Sequence, residues 1–199
     1  MAIKNQIMTN RCAWSTGNQL MIDYHDHDWG VSLHDDTRIF EYMVLDAFQA
    51  GLSWLTILKK RENFRKAFDD YDVKKISGYS EKDFNRLMND AGIIRNKLKI
   101  TATIENAKQY QKVQHEFGSF DAYIWHFTEG KTVLNKWKSI KEIPPKTELS
   151  DRISKDLLKR GFKFVGSTII YAFLQAMGIV NDHTTDCFRY NELMGMAKI

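Results

Sequence analysis

The sequence predicts an all-α fold, because apolar residues recur at helical spacing and no stretch alternates convincingly as a strand would. Capping residues and glycines mark where the predicted helices begin and end. With 199 residues, of which 43% are apolar, the chain can bury a core of ordinary size. We therefore expect residues 1–199 to form a single domain, built either as one body or as two lobes that share an interface.

The best-defined helix follows residues 35–37, whose side-chain oxygens can cap its first turn. Its apolar face comprises Phe40, Met43, Val44, Ala47, Phe48 and Leu55. Gly51 interrupts this helix where the apolar pattern is strongest. A short helix is predicted before it, over residues 18–24, and another after it, over residues 62–71.

In the middle of the chain, the sequence predicts two helices joined by a hairpin. Ser80 and Asp83 form a capping box that opens one helix, and Gly92 is suited to its end. A second helix begins after residues 93–96. With Arg95 and Lys97 beside it, this hairpin is either a phosphate site built from backbone amides or a plain connection between helices.

The last third contains three further predicted helices. Ser119 caps one that spans residues 117–127, Ser150 caps one that ends near Gly161, and the third covers residues 166–177. Residues 128–148 hold both prolines and predict a long connection. Residues 1–10 and 190–199 are expected to be mobile ends.

A polar stripe accompanies the apolar face of the helix before Gly51. The stripe comprises Tyr42, Asp46, Gln49 and Ser53, which are spaced so that they share one helix face. Such a stripe is often only a solvated surface. Here Trp54 and the basic residues Lys59, Lys60, Arg61, Arg65 and Lys66 follow it directly. A carboxylate, an amide, an aromatic ring and a cationic rim together indicate a pocket for a planar polar ligand carried on an anion.

Composition limits the classes of partner. A formal charge of +4 permits a polyanion such as nucleic acid, and the absence of an 18-residue apolar run predicts a cytoplasmic protein with no membrane partner. Cys12 and Cys187 are the only cysteines, and in a reducing compartment they indicate metal ligation or plain packing. Residues 24–30 contain two histidines and two aspartates, which are typical either of a metal site or of a surface turn.

At this point the sequence resembles the 3-methyladenine DNA glycosylase I family. The resemblance is carried by residues 11–14 (RCAW), 24–30 (YHDHDWG), 49–63 (QAGLSWLTILKKREN), 90–97 (DAGIIRNK), 159–166 (KRGFKFVG) and 181–183 (NDH), with Cys187. It covers residues 11–187, the expected core of the domain. It implies an all-α protein of the helix-hairpin-helix glycosylase superfamily, with two helical lobes, that excises alkylated adenine from double-stranded DNA and acts as a monomer.

The resemblance also implies one structural zinc ion per chain, held by Cys12, His25, His183 and Cys187 and joining the N- and C-terminal segments. Two thiolates and two imidazoles suit tetrahedral zinc. Because four protein ligands leave no open position for a catalytic water, they argue against the alternative of a zinc-dependent hydrolase.

The family's site residues carry over onto this chain. Trp54 would stack on the flipped base, Tyr24 would line its pocket, and Asp46 stands where the family usually has a glutamate that contacts the base. These three are the candidate catalytic residues. The candidate substrate- and DNA-binding residues are Gln49, Gly51, Leu52, Lys59, Lys60, Arg61, Gly92, Arg95 and Lys97. The shorter Asp46 leaves a second interpretation open, a protein that binds alkylated DNA with weak or altered excision.

Overall fold

The computed structural model describes residues 10–196, and within them the all-α prediction is confirmed. The helices are α1 (Gln19–His27), α2 (Asp36–Gln49), α3 (Trp54–Leu58), α4 (Arg61–Ala67), α5 (Val73–Ser77), α6 (Glu81–Asn89), α7 (Lys97–Phe117), α8 (Phe120–His126), α9 (Glu148–Lys159), α10 (Ser167–Ala176) and α11 (Phe188–Met196). No helix of residues 10–196 is long and apolar enough to cross a membrane.

Helix α2 is the centre of the fold, because every residue from Ile39 to Phe48 is buried. It packs against α3, α7, α8 and α10. Asp35 caps it, its Oδ1 accepting a hydrogen bond from the Arg38 amide at 2.8 Å. The next carboxylate, Asp36, reaches across to the start of α8 and accepts from the amides of two consecutive residues there. The predicted caps therefore hold two helices, the second of them distant in sequence.

The helices form two lobes around α2. Helix α7 packs against α5, α6 and α8, whereas α10 packs against α9 and α2. A two-residue parallel ladder joins β1 (Val133–Leu134) to β2 (Val180–Asn181), and so attaches the long connection to the C-terminal lobe. This ladder is too short for an alternating pattern to reveal it in the sequence. The N- and C-terminal segments meet at a cluster of four metal-ligating side chains, described below.

The end of α2 is held by a buried lysine of α7. The Lys99 ammonium donates to the carbonyl oxygens of Phe48 at 2.8 Å and Ala50 at 2.6 Å. These carbonyl oxygens accept no hydrogen bond within the helix, and a cation there also interacts favourably with the negative end of the helix dipole. Gly51, with a φ of 81°, then turns the chain away. The helix–hairpin–helix unit is thereby fixed to the end of α2.

Several boundaries differ from those predicted. The helix expected over residues 62–71 is α4, which ends at Ala67, and the one expected over residues 117–127 is α8, which begins at Phe120. Helix α9 is capped by Thr147, and Ser150 is the third residue of its capping box, because both hydroxyls pair with the opposite backbone amide. Residues 190–196, expected within a mobile tail, continue α11, with Tyr190 and Leu193 buried. The rest of the two predicted mobile ends, residues 1–9 and 197–199, lies outside the described residues.

Candidate functional site

A cavity of about 360 Å³ opens between α1, α2, α10 and the long connection. Its walls are formed by Trp14, Met21, Tyr24, Trp29, Asp46, Gln49, Trp54, Ile140, Ile143, Ala172 and Gln175. Most of this lining is aromatic or aliphatic, and only three side chains bring an amide or a carboxyl group. A few convergent polar groups in an apolar cavity are typical of a site for a small, flat ligand.

The aromatic walls contact one another edge-on or at a tilt. Tyr24 and Trp54 lie with centroids 5.1 Å apart and planes tilted by 53°, and Trp14 meets Trp29 edge-on at 4.9 Å. None of these pairs is stacked face to face. The indole N–H of Trp54 is buried and has no hydrogen-bond partner among residues 10–196. The cavity thus combines aromatic surfaces with one uncompensated donor.

Asp46 brings the most unusual group to the cavity. Its side chain is only 5% exposed, and Oδ2 has no hydrogen-bond partner within the described part of the chain. Burial raises the pKa of this carboxyl well above its ordinary value. Asp46 and Gln49 also line a second cavity of about 250 Å³, which continues past Gly51 and Leu52. The carboxyl therefore lies between the aromatic cavity and a cleft beside the α2–α3 loop.

The predicted cations fall into two groups. Arg61 is turned inward, because its guanidinium donates to Glu41 at 2.7 Å and to Asp28 at 2.9 Å and lies over the Tyr42 ring. These partners satisfy its charge, and 15% of its side chain is exposed. The second group is exposed and has no ion pair within residues 10–196; it comprises Lys59, Arg95 and Lys97.

Lys60 has a different position from its neighbours. Its ammonium donates to the carbonyl oxygens of Ala91 at 3.0 Å and Gly92 at 3.1 Å. The Gly92 amide in turn donates to Asp90 Oδ1 at 2.7 Å, and a Cβ at residue 92 would lie 2.8 Å from that oxygen. A side chain at residue 92 would therefore displace the Asp90 carboxylate. Lys60 holds the hairpin in place rather than extending into solvent.

The four residues Cys12, His25, His183 and Cys187 form one buried cluster, whose ligand atoms all lie within 4.8 Å of one another. Cys187 Sγ is 3.4 Å from His25 Nε2 and 3.5 Å from His183 Nδ1, and Cys12 Sγ is 3.6 Å from the same Nδ1. Two sulfurs and two ring nitrogens facing a common centre could hold a metal ion.

In each histidine of the cluster, the ring nitrogen that faces away from the sulfurs makes a contact that orients the ring. Nδ1 of His25 contacts Asp26 at 2.7 Å, and that carboxylate pairs with Arg11. Nε2 of His183 contacts the carbonyl oxygen of Trp29 at 3.1 Å. Such partners fix the ring so that the remaining nitrogen faces the metal position. The Cys12 thiol, followed by the two imidazoles, lowers the pKa of the Cys187 thiol, which favours the thiolate that binds metals.

A family model described as methyladenine glycosylase matches residues 14–190. The chain belongs to this family. DNA-3-methyladenine glycosylase 1 of Escherichia coli (strain K12) is 46% identical over 180 residues, which cover 90% of this chain and 96% of that protein.

Two solved structures of 3-methyladenine DNA glycosylase I agree with the fold. One has a TM-score of 0.87 at 45% identity and covers 90% of this chain and 98% of its own. The other, a variant in complex with 3-methyladenine, also has a TM-score of 0.87 at 34% identity, with coverages of 90% and 96%. The resemblance deduced from the sequence is therefore confirmed at the level of family and fold.

Within this family member, the structure brings Tyr24, Asp46, Gln49 and Trp54 together in one cavity. It separates them from the hairpin cations. The sequence did not reveal several walls of the cavity, namely Trp14, Met21, Trp29, Ile140, Ile143, Ala172 and Gln175. Trp14 and Trp29 lie within the quoted family blocks, so they could have been found there. The isoleucines lie in the long connection, where no local pattern marks a contact with α1 or α2.

The burial of Asp46 predicts that this residue makes the protein less stable as the pH rises, which is the opposite of the usual effect of a carboxyl group. A raised pKa means that the folded state binds the proton more tightly, so the contribution of Asp46 to stability is present at low pH and lost as pH rises through the folded pKa. Asp46→Asn should therefore be more stable than the wild type at pH 8, and the difference should shrink at pH 5. Urea unfolding at both pH values measures this difference.

The matched control is Asp83→Asn. The Ser80 amide and hydroxyl lower the pKa of the Asp83 carboxyl, so its contribution has the opposite sign and the variant should lose stability at neutral pH. A destabilised Asp46→Asn at pH 8 would contradict the assignment of Asp46 as an uncompensated buried carboxyl.

Proposed function

We propose that the chain is a DNA-3-methyladenine glycosylase that hydrolyses the N-glycosidic bond of 3-methyladenine in double-stranded DNA. The observation that carries the proposal is the aromatic cavity beside Asp46, a buried carboxyl with an oxygen that has no partner among residues 10–196. A similar protein has been solved in complex with 3-methyladenine, which supports this choice of base.

The chemistry of the leaving group explains why the cavity needs few catalytic groups. A 3-methylated adenine is cationic while attached to the sugar and neutral once released, so it needs no general acid. The chain must flip the base out of the duplex, hold it and leave the sugar open to water. Trp54 and Tyr24 present ring faces to the base, where stacking contributes about 1 to 3 kcal/mol and a cationic ring gains further attraction.

Asp46 supplies the charge that selects a cationic base. A carboxyl with a raised pKa loses its proton more readily when a positive charge enters the same cavity. A neutral, undamaged base brings no positive charge, so it leaves the buried carboxylate without a counter-charge. The free energy spent on burying Asp46 in the unliganded protein is thus recovered when the damaged base binds.

The α2–α3 loop provides the element that enters the duplex. Leu52 is 40% exposed and follows Gly51 at the mouth of the second cavity. We place Leu52 in the gap left by the flipped nucleotide, as an apolar side chain inserted between base steps. Lys59, Arg95 and Lys97 contact phosphates nearby. Arg61 is not included among them, since its charge is already paired within the protein.

The four-residue cluster fits a structural zinc ion. Sulfur and nitrogen ligands of tetrahedral zinc lie about 3.5 Å apart, given the usual bond lengths, and three of the four sulfur-to-nitrogen distances here are 3.4 to 3.6 Å. Cys12, His25, His183 and Cys187 would hold one ion per chain with no ligand position left for substrate. When bound, zinc supplies folding free energy. We further propose that the protein is a monomer of the cytoplasm, where bacteria keep their DNA.

Release of base from alkylated DNA tests the function directly. Under single-turnover conditions, the wild type should release 3-methyladenine, and Trp54→Ala should lose most activity. Asp46→Asn should lose about 1 to 3 kcal/mol of transition-state stabilisation, the usual value of a charged hydrogen-bond partner. Asp46→Glu, which has the reach of the family's usual residue, should match or exceed the wild type. Released bases are quantified by chromatography.

The control for this experiment is Asp23→Asn, which makes the same chemical change on the exposed side of α1 and should leave the rate unchanged. A wild type that bound methylated duplex without releasing any base would replace the proposal with that of a lesion-binding protein. Equal rates for Asp46→Asn and the wild type would remove Asp46 from the mechanism.

Metal content provides a separate test. Purified protein should contain about one zinc ion per chain, as measured by elemental analysis. Cys187→Ser should bind zinc more weakly and unfold at a lower temperature, because metal-binding free energy is folding free energy here. Ser15→Ala, a buried hydroxyl next to the cluster that is not a ligand, is the control for packing damage and should retain the metal. Stable protein free of any metal would overturn the assignment.

Salt dependence locates the DNA-binding face. Each phosphate contact contributes nearly one unit to the slope of log affinity against log salt concentration. Arg95→Glu and Lys59→Glu should each weaken binding to undamaged duplex and flatten that slope. Lys112→Glu should do neither, because this exposed lysine lies about 20 Å further along α7. Unchanged slopes for the first two variants would place the DNA on another face.

A further inference from the structure

Gln175 is a polar side chain of the cavity that no step above uses, and unlike Gln49 it is held by a buried carboxylate. It lies on α10, between the aromatic cavity and the buried carboxylate of Asp182. Its Nε2 donates to Asp182 Oδ2 at 2.7 Å. Within residues 10–196, its amide oxygen accepts no hydrogen bond.

Asp182 is only 1% exposed and accepts four hydrogen bonds. Oδ1 accepts from Asn135 Nδ2 at 2.6 Å and from the Trp137 indole at 2.8 Å, and Oδ2 accepts from the Tyr171 hydroxyl at 2.5 Å and from Gln175. All four donors are uncharged. An indole N–H can only donate, so Oδ1 of Asp182 accepts from Trp137.

This network fixes which end of the Gln175 amide faces the cavity. A carboxylate oxygen accepts and does not donate, so the amino group of Gln175 must point towards Asp182. Its carbonyl oxygen is then the polar atom that remains for a ligand. Rotating the amide by half a turn would set two acceptors against each other and lose a charge-assisted hydrogen bond, a preference on the order of tenfold to a hundredfold.

Adenine and guanine differ in what they would offer to such an acceptor. The exocyclic amine of adenine donates, whereas guanine carries an acceptor oxygen at the same ring position. An amine has two N–H groups, and the acceptors that the cavity presents include Asp46 and the Gln175 oxygen. A 3-methylated guanine would bring its oxygen towards both of them and leave them without a donor.

We propose that Gln175 is a specificity-determining residue, held by Asp182 as its positioning residue, whose amide oxygen accepts a hydrogen bond from the exocyclic amine of the flipped base and disfavours 3-methylated guanine. This inference rests on the proposed glycosylase function. It concerns the choice between two methylated purines, both of which are cationic, so the charge of Asp46 cannot make that choice by itself.

The test is a competition in one reaction. DNA treated with a methylating agent carries both 3-methyladenine and 3-methylguanine, and chromatography gives the ratio of their rates of release. This ratio does not depend on the fraction of folded enzyme. Gln175→Met keeps the length of the side chain and removes the acceptor, so the preference for 3-methyladenine should fall by about tenfold, as for one lost hydrogen bond.

Asp182→Asn tests the positioning role. An asparagine amide can donate to the Gln175 oxygen, which lets Gln175 rotate and present its amino group to the cavity, so the preference should fall here as well. Tyr171→Phe is the matched control, because it removes another hydrogen bond of Asp182 from a residue that does not line the cavity. It should lower stability and leave the ratio unchanged.

The outcomes separate this inference from the function beneath it. Wild type that releases 3-methyladenine, with the same ratio in Gln175→Met, would overturn the role of Gln175 alone. This holds even if Asp182→Asn does not fold. Wild type that releases neither base would overturn the proposed function. A ratio lowered in Gln175→Met and unchanged in Tyr171→Phe is the expected result.

Discussion

Helix α2 is enclosed on all sides over residues 39–48, so each polar group on it must find a partner or stay uncompensated. Glu41, 1% exposed, is paired with Arg61 and Arg65. Asp46 lies little more than one turn further along and has no cation in contact among the described residues. Helix α4 provides the cations for Glu41. Asp46 faces the cavity without such a partner, as expected of the binding group that we propose it to be.

Two lysines connect the cavity to the surface that would meet the duplex. Lys99 joins α7 to the last carbonyls of α2, and Lys60 joins the α3–α4 turn to the hairpin. Both ammonium groups donate to backbone carbonyls rather than to carboxylates, so they position main chain. The hairpin, the Leu52 loop and the cavity are therefore held together, and in the proposed function a phosphate bound at the hairpin would set the depth at which a base can enter.

The sequence predicted those features that depend on local chemistry. Asp35 caps α2, Ser80 and Asp83 form a capping box, and α2 ends just before Gly51, as expected. In the sequence, Arg61 looked like one more DNA-binding cation. The order of charges along the chain does not reveal that Glu41 and Asp28, on other elements, pair with it in the fold. The walls from the long connection were missed for the same reason, since they depend on long-range packing. The metal cluster followed from family resemblance, because ligands so distant in sequence carry no spacing rule.

The separation of the four cluster residues also matters while the chain is being made. Cys12 and His183, whose ligand atoms touch, lie 171 positions apart. At roughly 5 to 20 residues per second, a ribosome needs on the order of ten seconds or more to cover that distance. During this time the first cysteine and histidine wait without their partners. The cluster can thus be completed only after Cys187 has been synthesised, and a chain that stops before residue 183 lacks two of the four ligands.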